Sequence, residues 1–93
     1  MNPCFEMTVA ARDKILFRGQ AQICTIVGAT GSRSFEARHE TFLTILGSPS
    51  VIEFRTKTGQ VKQIRVASGL VSFDQNSCQI VVEVGTAADD DPN

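Results

Sequence analysis

The sequence predicts an all-β domain in which two sheets pack face to face as a β-sandwich. Several short runs alternate apolar with polar or small residues, which is the two-residue period of a strand with one side on a core. Turn sequences separate these runs at close intervals, and no apolar period of about 3.6 residues lasts longer than roughly one helical turn. The 93 residues suffice for one hydrophobic core. We therefore expect a single domain.

The strands are predicted from the alternating runs and from the turns between them. In the first, residues 4–10, Phe5, Met7 and Val9 alternate with polar or small residues. Segments 57–60 and 74–77 have the Gly, Asn, Asp and Ser content of hairpin turns, and each joins two alternating runs. Six further strands are predicted at residues 14–19, 21–27, 50–55, 61–67, 69–74 and 78–84.

Two segments fall outside this pattern. Residues 41–46 fit neither a strand period nor a helical period, because their large apolar residues occupy positions 42, 43, 45 and 46. We leave this segment open and favour a short extended piece. Residues 85–93 combine a glycine, small residues, three consecutive aspartates and a proline, and cannot bury enough apolar surface to order themselves. We expect a sandwich domain at residues 1–85 and a disordered acidic tail at residues 86–93.

The composition excludes several classes of protein. No segment approaches the roughly 18 consecutive apolar residues of a spanning helix, and the first residues lack the basic and apolar regions of a signal peptide. The net charge of -1 and the absence of Trp and Tyr give no basic stripe with stacking aromatics, so we expect no nucleic-acid binding. The three cysteines, Cys4, Cys24 and Cys78, show no CxxC spacing and are interpreted as small buried apolar residues, not as metal ligands.

No catalytic constellation is present. The single histidine, His39, has serines and Glu36 nearby in sequence, but there is no nucleophile-elbow sequence and no spacing that favours a triad. The loop from Gly28 to Arg33 contains two glycines but lacks the later Gly-Lys-Ser/Thr of a phosphate-binding loop. We interpret Gly28 and Gly31 as positions of positive φ that reverse the chain between two strands. An enzyme is not expected, and neither is a cofactor.

A longer pattern carries more information. Its positions are Phe17, Gly19, Ala21, Ile23, Ile26, Gly28, Gly31, His39, Leu43, Thr44 and Leu46. Without a gap, this pattern resembles the N-terminal β-sandwich domain of the epsilon subunit of F-type ATP synthases. Residues 5–9 and 66–71 fit the first strand and a late strand of that domain, so the resemblance covers nearly the whole chain. The family's usual prolines are replaced by Val27, Ala37 and Thr41, and one glycine of a late pair by Ser68, which makes the chain a divergent member.

The resemblance implies a sandwich of about eight to ten short strands and a non-catalytic rotor subunit. Such a subunit bridges the gamma subunit and the c ring of the central stalk, peripherally on the cytoplasmic side of the membrane, with no direct membrane insertion and no small-molecule ligand. The usual epsilon subunit continues into two C-terminal helices, and this short form is expected not to perform their functions by itself. The implied c-ring contacts are Gly28, Thr30, Gly31, Ser32 and Arg33. The implied gamma-subunit contacts are His39, Glu40, Phe42, Leu43 and Thr44.

Several interpretations stay open. Arg33 either meets acidic or carbonyl groups of the ring or is solvated surface. Phe42 and Leu43 are either docking anchors or core residues, and one lies inside and the other outside if the segment is extended. The principal alternative function is a stand-alone adaptor for protein-protein interaction that has kept the sandwich but left the ATP synthase. A sandwich that binds a small ligand is a weaker alternative, because no sequence feature indicates a polar pocket.

Overall fold

The computed structural model describes residues 3–28, 31–47, 49–83 and 85–87. Every regular element in those ranges is a strand, so none of them is an apolar helix capable of crossing a bilayer. The predicted all-β class is thereby confirmed. The nine strands are β1 (Phe5–Ala11), β2 (Lys14–Gly28), β3 (Gly31–Glu36), β4 (Phe42–Leu46), β5 (Ser50–Thr56), β6 (Val61–Val66), β7 (Gly69–Asp74), β8 (Ser77–Val82) and β9 (Gly85–Ala87).

These strands form one curled sheet whose two ends share a core. The hydrogen-bonded order is β4-β7-β8-β1-β2-β5-β6-β9, and β3 pairs with β2 off this path. The β1–β8 pair is parallel, whereas the other pairs are antiparallel. This arrangement is consistent with the predicted β-sandwich.

The long strand β2 connects the two halves of the sheet. The sequence predicts two strands here, at 14–19 and 21–27, whereas the structure has one strand of 15 residues. Pairing with β1 continues through Gly19 and Gln20, so no turn interrupts the strand. Its partners change along its length instead: residues up to Ala21 pair with β1, and residues from Ile23 onward pair with β3 and β5. The pairing with β5 begins at Ala21 and has a register irregularity between Ala21 and Ile23. A bulge of this kind bends a strand without ending it.

The core follows the alternation of the sequence. The inward residues of β1, which are Phe5, Met7 and Val9, are each at most 1% exposed. The ring of Phe5 packs edge-on against that of Phe73 on β7, with 5.4 Å between centroids. Fully burying a side chain of this size contributes about 1.5–3 kcal/mol. The hydrophobic effect therefore fixes which face of each strand points inward and which is left for contacts with other molecules.

Two strands have little apolar pattern of their own. β3 has one buried residue, Phe35, and no strand is predicted there; its extended form comes from pairing with β2. β9 pairs with β6 from Gly85 to Ala87, so strand structure reaches into the segment that the sequence assigns to the acidic tail. The edge of β6 supplies main-chain hydrogen-bond partners for this segment, and this pairing orders it although its composition gives it little apolar surface to bury. The remaining tail, residues 88–93, lies outside the described residues.

The hairpin glycines behave differently from each other. Gly31 has the expected positive φ, 132°. Gly28 does not, so the prediction for Gly28 is wrong. Gly28 is the last residue of β2 and pairs with Gly31 across the hairpin, which keeps its backbone extended.

Candidate docking surfaces

The segment expected to contact a gamma subunit begins in a loop that side chains fasten to the turn between β7 and β8. The main-chain N–H of Arg38, a residue with a φ of 67°, donates to Oδ1 of Asn76 at 2.7 Å. The Thr41 hydroxyl donates to Oδ1 of Asp74 at 2.9 Å. Asn76 also donates through Nδ2 to the carbonyl oxygen of Cys4 at 3.0 Å. These bonds fix where β4 starts, although the sequence gives no sign that Asp74 and Asn76 have this role.

His39 belongs to an aromatic cluster and is half-buried. Its ring lies edge-on to Phe42 at 5.1 Å and to Phe73 at 6.0 Å, measured between centroids. Nδ1 lies 2.9 Å from the carbonyl oxygen of Glu40, and the main-chain N–H donates to the carbonyl oxygen of Glu36. These contacts make His39 a packing residue that shapes the loop. Glu40 itself is exposed.

The segment 41–46 is extended, as favoured from the sequence, and its residues alternate between core and solvent. Phe42 packs on the core, and its ring stacks with that of Phe73, the two planes being 4° apart and the centroids 5.9 Å apart. Leu43 is 67% exposed and Ile45 is 78% exposed. Thr44 is half-buried. Of the two open anchor candidates, Phe42 is therefore a core residue and Leu43 is available to a partner.

An exposed apolar row crosses five neighbouring strands on the outer side of the sheet. The register aligns Ile45 of β4 with Leu70 of β7, Leu70 with Val81 of β8, Val81 with Ala10 of β1, and Ala10 with Ile15 of β2. Exposure is 78% at Ile45, 41% at Leu70, 56% at Val81 and 49% at Ile15. At the usual spacing of neighbouring strands, the row is about 19 Å long. Contiguous exposed apolar side chains of this kind indicate an interaction surface.

Sequence reasoning missed most of this apolar row, although a signal for it exists. In β8, Ile80, Val81 and Val82 are consecutive apolar residues, and alternation forces the middle one outward. In β7, Leu70 stands beside the buried Val71 in the same way. Such outward apolar residues can be recognised only once strand boundaries are known. Their alignment into a row depends on pairings between strands that are far apart in sequence.

The outer side of the other half of the sheet has a different character. There the hydroxyls of Thr25 and Ser34 hydrogen-bond each other at 2.7 Å, and Gln63 donates to Glu53 at 2.8 Å. Val27 and Val61 are exposed on this side, at 42% and 47%, but they stand in different cross-strand rows and do not align with each other. The two outer surfaces are therefore unlike, and the apolar row belongs to one of them.

The β2–β3 hairpin contains the residues expected to contact a c ring. Gly31, Ser32 and Arg33 are exposed, Gly28 is half-buried, and Thr30 lies outside the described residues. The guanidinium carbon of Arg33 lies 5.3 Å from the centroid of the Phe42 ring, within the range of a cation–π contact. Arg33 thus links the hairpin to β4 and is more than solvated surface.

A groove of about 230 Å³ lies between this hairpin and the end of β4. Ser32 and Arg33 line it from the hairpin, and Thr44 and Ile45 line it from β4. The two expected contact segments, one for each partner, therefore adjoin at one edge of the sandwich. Neither their spacing in sequence nor their composition predicts this neighbourhood.

The two cysteines that the structure buries, Cys24 and Cys78, have little chemical reactivity. Burial raises the pKa of Cys78 from its ordinary value of 9.0 to about 12. Burial, and next the neighbouring Cys78, hold the pKa of Cys24 well above the same value. A neutral buried thiol is a poor nucleophile and a poor metal ligand. Among the described residues, no group of three or more His, Cys, Asp or Glu side chains is placed to hold a metal ion.

Known structures share this fold. A chain in the Euglena gracilis mitochondrial ATP synthase, from a structure of OSCP, F1 and the c-ring, is similar with a TM-score of 0.82 and 16% identity over 99% of this chain. A chain in the central stalk and c-ring structure of the Tetrahymena thermophila mitochondrial ATP synthase is similar with a TM-score of 0.74 and 21% identity over 96% of this chain.

The present chain spans 59% of the Euglena chain and 70% of the Tetrahymena chain. No curated protein matches it in sequence. A family model does match, the one described as the β-sandwich domain of the ATP synthase delta/epsilon chain, and it does so over residues 4–88. Since the match takes in nearly all of the sequence, the chain belongs to the ATP synthase delta/epsilon family through its β-sandwich domain.

Proposed function

We propose that this chain is a non-catalytic rotor subunit of the central stalk of an F-type ATP synthase, where it bridges the gamma subunit and the c ring. Family membership over residues 4–88 supports the assignment, and two similar chains belong to structures of ATP synthases that contain a c-ring. The single observation that carries the proposal is the apolar row. It gives this sandwich a continuous apolar contact surface on one outer side, whereas the exposed valines of the other side, Val27 and Val61, do not align.

The apolar row is the proposed contact for the gamma subunit. Leu43 extends it on β4, two residues before Ile45, and both side chains point outward. Large apolar side chains in the centre of a docking surface usually carry most of the binding energy. The row thus enlarges the contact expected from the sequence, residues 39–44, to include Leu70 and Val81. His39 and Phe42 support it from beneath by holding β4 in place.

The β2–β3 hairpin is the proposed contact for the c ring. Ser32 is exposed and polar, and Arg33 presents a cation at the same edge. A sandwich with a close-packed core deforms little under load. Rotation of the ring, applied at the hairpin, is therefore passed through the core to the gamma subunit without local slippage. The mechanism is mechanical and uses no cofactor.

The location follows from these partners. As a bridge between the c ring and the gamma subunit, the chain lies peripherally on the cytoplasmic side of the membrane without inserting into it. It binds neither nucleic acid nor a small-molecule ligand in this role. A stand-alone adaptor is the second candidate, and the replacement of the family's usual prolines by Val27, Ala37 and Thr41 favours it.

A binding measurement with matched variants tests the proposal. The gamma subunit of the same organism is titrated with the wild-type chain, with a Leu70→Ser/Val81→Ser double variant, and with Val61→Ser. Val61 is 47% exposed, close to the 41% of Leu70 and the 56% of Val81, but lies on the other outer side. We expect micromolar or tighter binding by the wild type, a loss of roughly tenfold or more in the double variant, and no change in the control.

Two results would count against the proposal. Failure of the wild-type chain to bind the gamma subunit at micromolar concentration contradicts the rotor assignment and favours the adaptor. Equal binding by the wild type and the double variant contradicts the apolar row as the contact surface. Circular dichroism of each variant verifies that the fold is retained, since exposed serine substitutions are expected to change stability by less than about 0.5 kcal/mol.

A further inference from the structure

The strand β4 has an edge that no other strand covers among the described residues. It stands first in the order of the sheet and pairs on one side, with β7. In an antiparallel pair, alternate residues of a strand direct their N–H and C=O groups to the partner, and the others direct them away. The main-chain groups of β4 that point away from β7 are therefore available to another chain.

The β4 strand itself carries none of the residues that normally prevent pairing with other molecules, although Arg33 of β3 contacts the Phe42 ring at its start. Natural edge strands are protected by charged side chains, prolines or bulges. The β4 sequence, Phe-Leu-Thr-Ile-Leu, contains no charge and no proline, and its register with β7 is regular. The edge strand β3, in contrast, carries Arg33, Glu36 and two serines. β4 also holds the two most exposed large apolar residues of the described chain, Leu43 and Ile45.

The space next to this edge suits a close approach of main chain. The groove of about 230 Å³ at the end of β4 is lined partly by Gly28, Gly31 and Gly47. Among the described residues, and apart from the two chain neighbours, no heavy atom lies within 4 Å of the position where a Cβ would stand at Gly31 or Gly47. Small residues leave room for a neighbouring backbone, whereas large side chains would hold it away.

We infer that the gamma subunit binds β4 by strand addition, pairing an extended segment with the free edge and laying alternate apolar side chains against Leu43 and Ile45. This inference rests on the proposed function and specifies the geometry of its main contact. An extended strand is the occupant because its main-chain donors and acceptors have the spacing that the edge presents. A helix satisfies its own main chain and leaves the edge unpaired.

Continuity with the apolar row favours this partner over a second copy of the chain. The row begins at Ile45 on the edge strand and continues over Leu70 and Val81. Two copies paired edge to edge would align their rows side by side and leave Leu70 and Val81 exposed to water. A partner that covers the outer surface buries the apolar row. If the same partner also pairs with the edge of β4, it satisfies the free main-chain groups there as well.

Hydrogen exchange of single amides, followed by NMR on the full chain with and without the gamma subunit, tests the inference. In the free chain, alternate amides of β4 are expected to exchange fast, either those at even or those at odd positions from 42 to 46. In the complex, these amides are expected to slow by roughly tenfold or more, because pairing protects them. The amide of Ile80 is the control, since β8 pairs with both β7 and β1 and is covered in either state.

Each other outcome has a distinct meaning. If a complex forms while the edge amides of β4 stay fast, strand addition is refuted and the proposed function stands. If no complex forms, the proposed function fails first, and the inference falls with it. If the edge amides slow with increasing concentration of the chain alone, a second copy occupies the edge and the inference is overturned.

Discussion

Gly69 lies close to the paired strand β8 in the half of the sheet that carries the apolar row, and replacing it by alanine should destabilise the fold. A Cβ at this position would lie 2.6 Å from the carbonyl oxygen of Val81, 3.3 Å from Cα of Val82 and 3.2 Å from Cδ1 of Leu46. Two of these atoms are main chain of the paired strand β8 and cannot rotate away. β7 must shift against β8, and forced overpacking of this kind costs about 1–3 kcal/mol.

Thermal unfolding of Gly69→Ala gives the measurement. For a domain of this size, each kcal/mol lowers Tm by roughly 4–8 °C, so a loss of about 2 kcal/mol corresponds to roughly 8–16 °C. The control is Gly47→Ala, because no heavy atom of the described residues, its chain neighbours aside, lies within 4 Å of its Cβ position. We expect the control to keep the wild-type Tm. Equal Tm values for the wild type and Gly69→Ala would refute the argument from close approach of strands.

Three further predictions concern stability. Phe42→Ala should lower the free energy of unfolding by about 2–3 kcal/mol, since its half-buried ring packs on the core. Leu43→Ala should change it by less than about 0.5 kcal/mol, because Leu43 is exposed. Urea unfolding compares the two variants, and equal losses would contradict the assignment of Phe42 to the inside and Leu43 to the outside. Gly31→Ala, at a φ of 132°, should lower the free energy of unfolding by about 1 kcal/mol or more, and Gly28→Ala should lower it less. The Tm values of the two variants compare these losses, and the reverse order would show that the hairpin geometry is wrong. Burial raises the pKa of Cys78 from 9.0 to about 12, so the thiol of the unfolded chain ionises at a lower pH than that of the folded chain. The free energy of unfolding should therefore fall as the pH rises from about 9 towards 12. Urea unfolding at several pH values should show a weaker fall for Cys78→Val, and an unchanged fall would contradict the argument.

Much of the fold follows from local pattern. Where a strand has clear alternation, as in β1 with Phe5, Met7 and Val9, the sequence predicts its position to within about one residue. β3 and β9 are not predicted, because Ser32 to Glu36 and Gly85 to Ala87 offer little apolar alternation. Their extended form is imposed by the edges of β2 and β6. Pairing between distant segments is a property of the folded chain and leaves no short-range pattern to read.

The candidate site can likewise be predicted from the sequence only in part. The resemblance identifies the segments at 28–33 and 39–44, and alternation predicts that Phe42 and Leu43 point in opposite directions. The contact of Arg33 with Phe42 depends on packing between β3 and β4, which are separate edges of the sheet. The apolar row depends on the alignment of Ile45 with Leu70 and of Leu70 with Val81. Such alignments require the register, and the register becomes visible only in three dimensions.

Purification of the intact ATP synthase from native membranes tests the central claim most directly. If the chain is a rotor subunit, mass spectrometry of the purified enzyme should find it in a fixed ratio to the gamma subunit, and mild dissociation should release it together with gamma and the c ring. A complete, coupled enzyme that contains gamma and the c ring but lacks this chain would contradict the account.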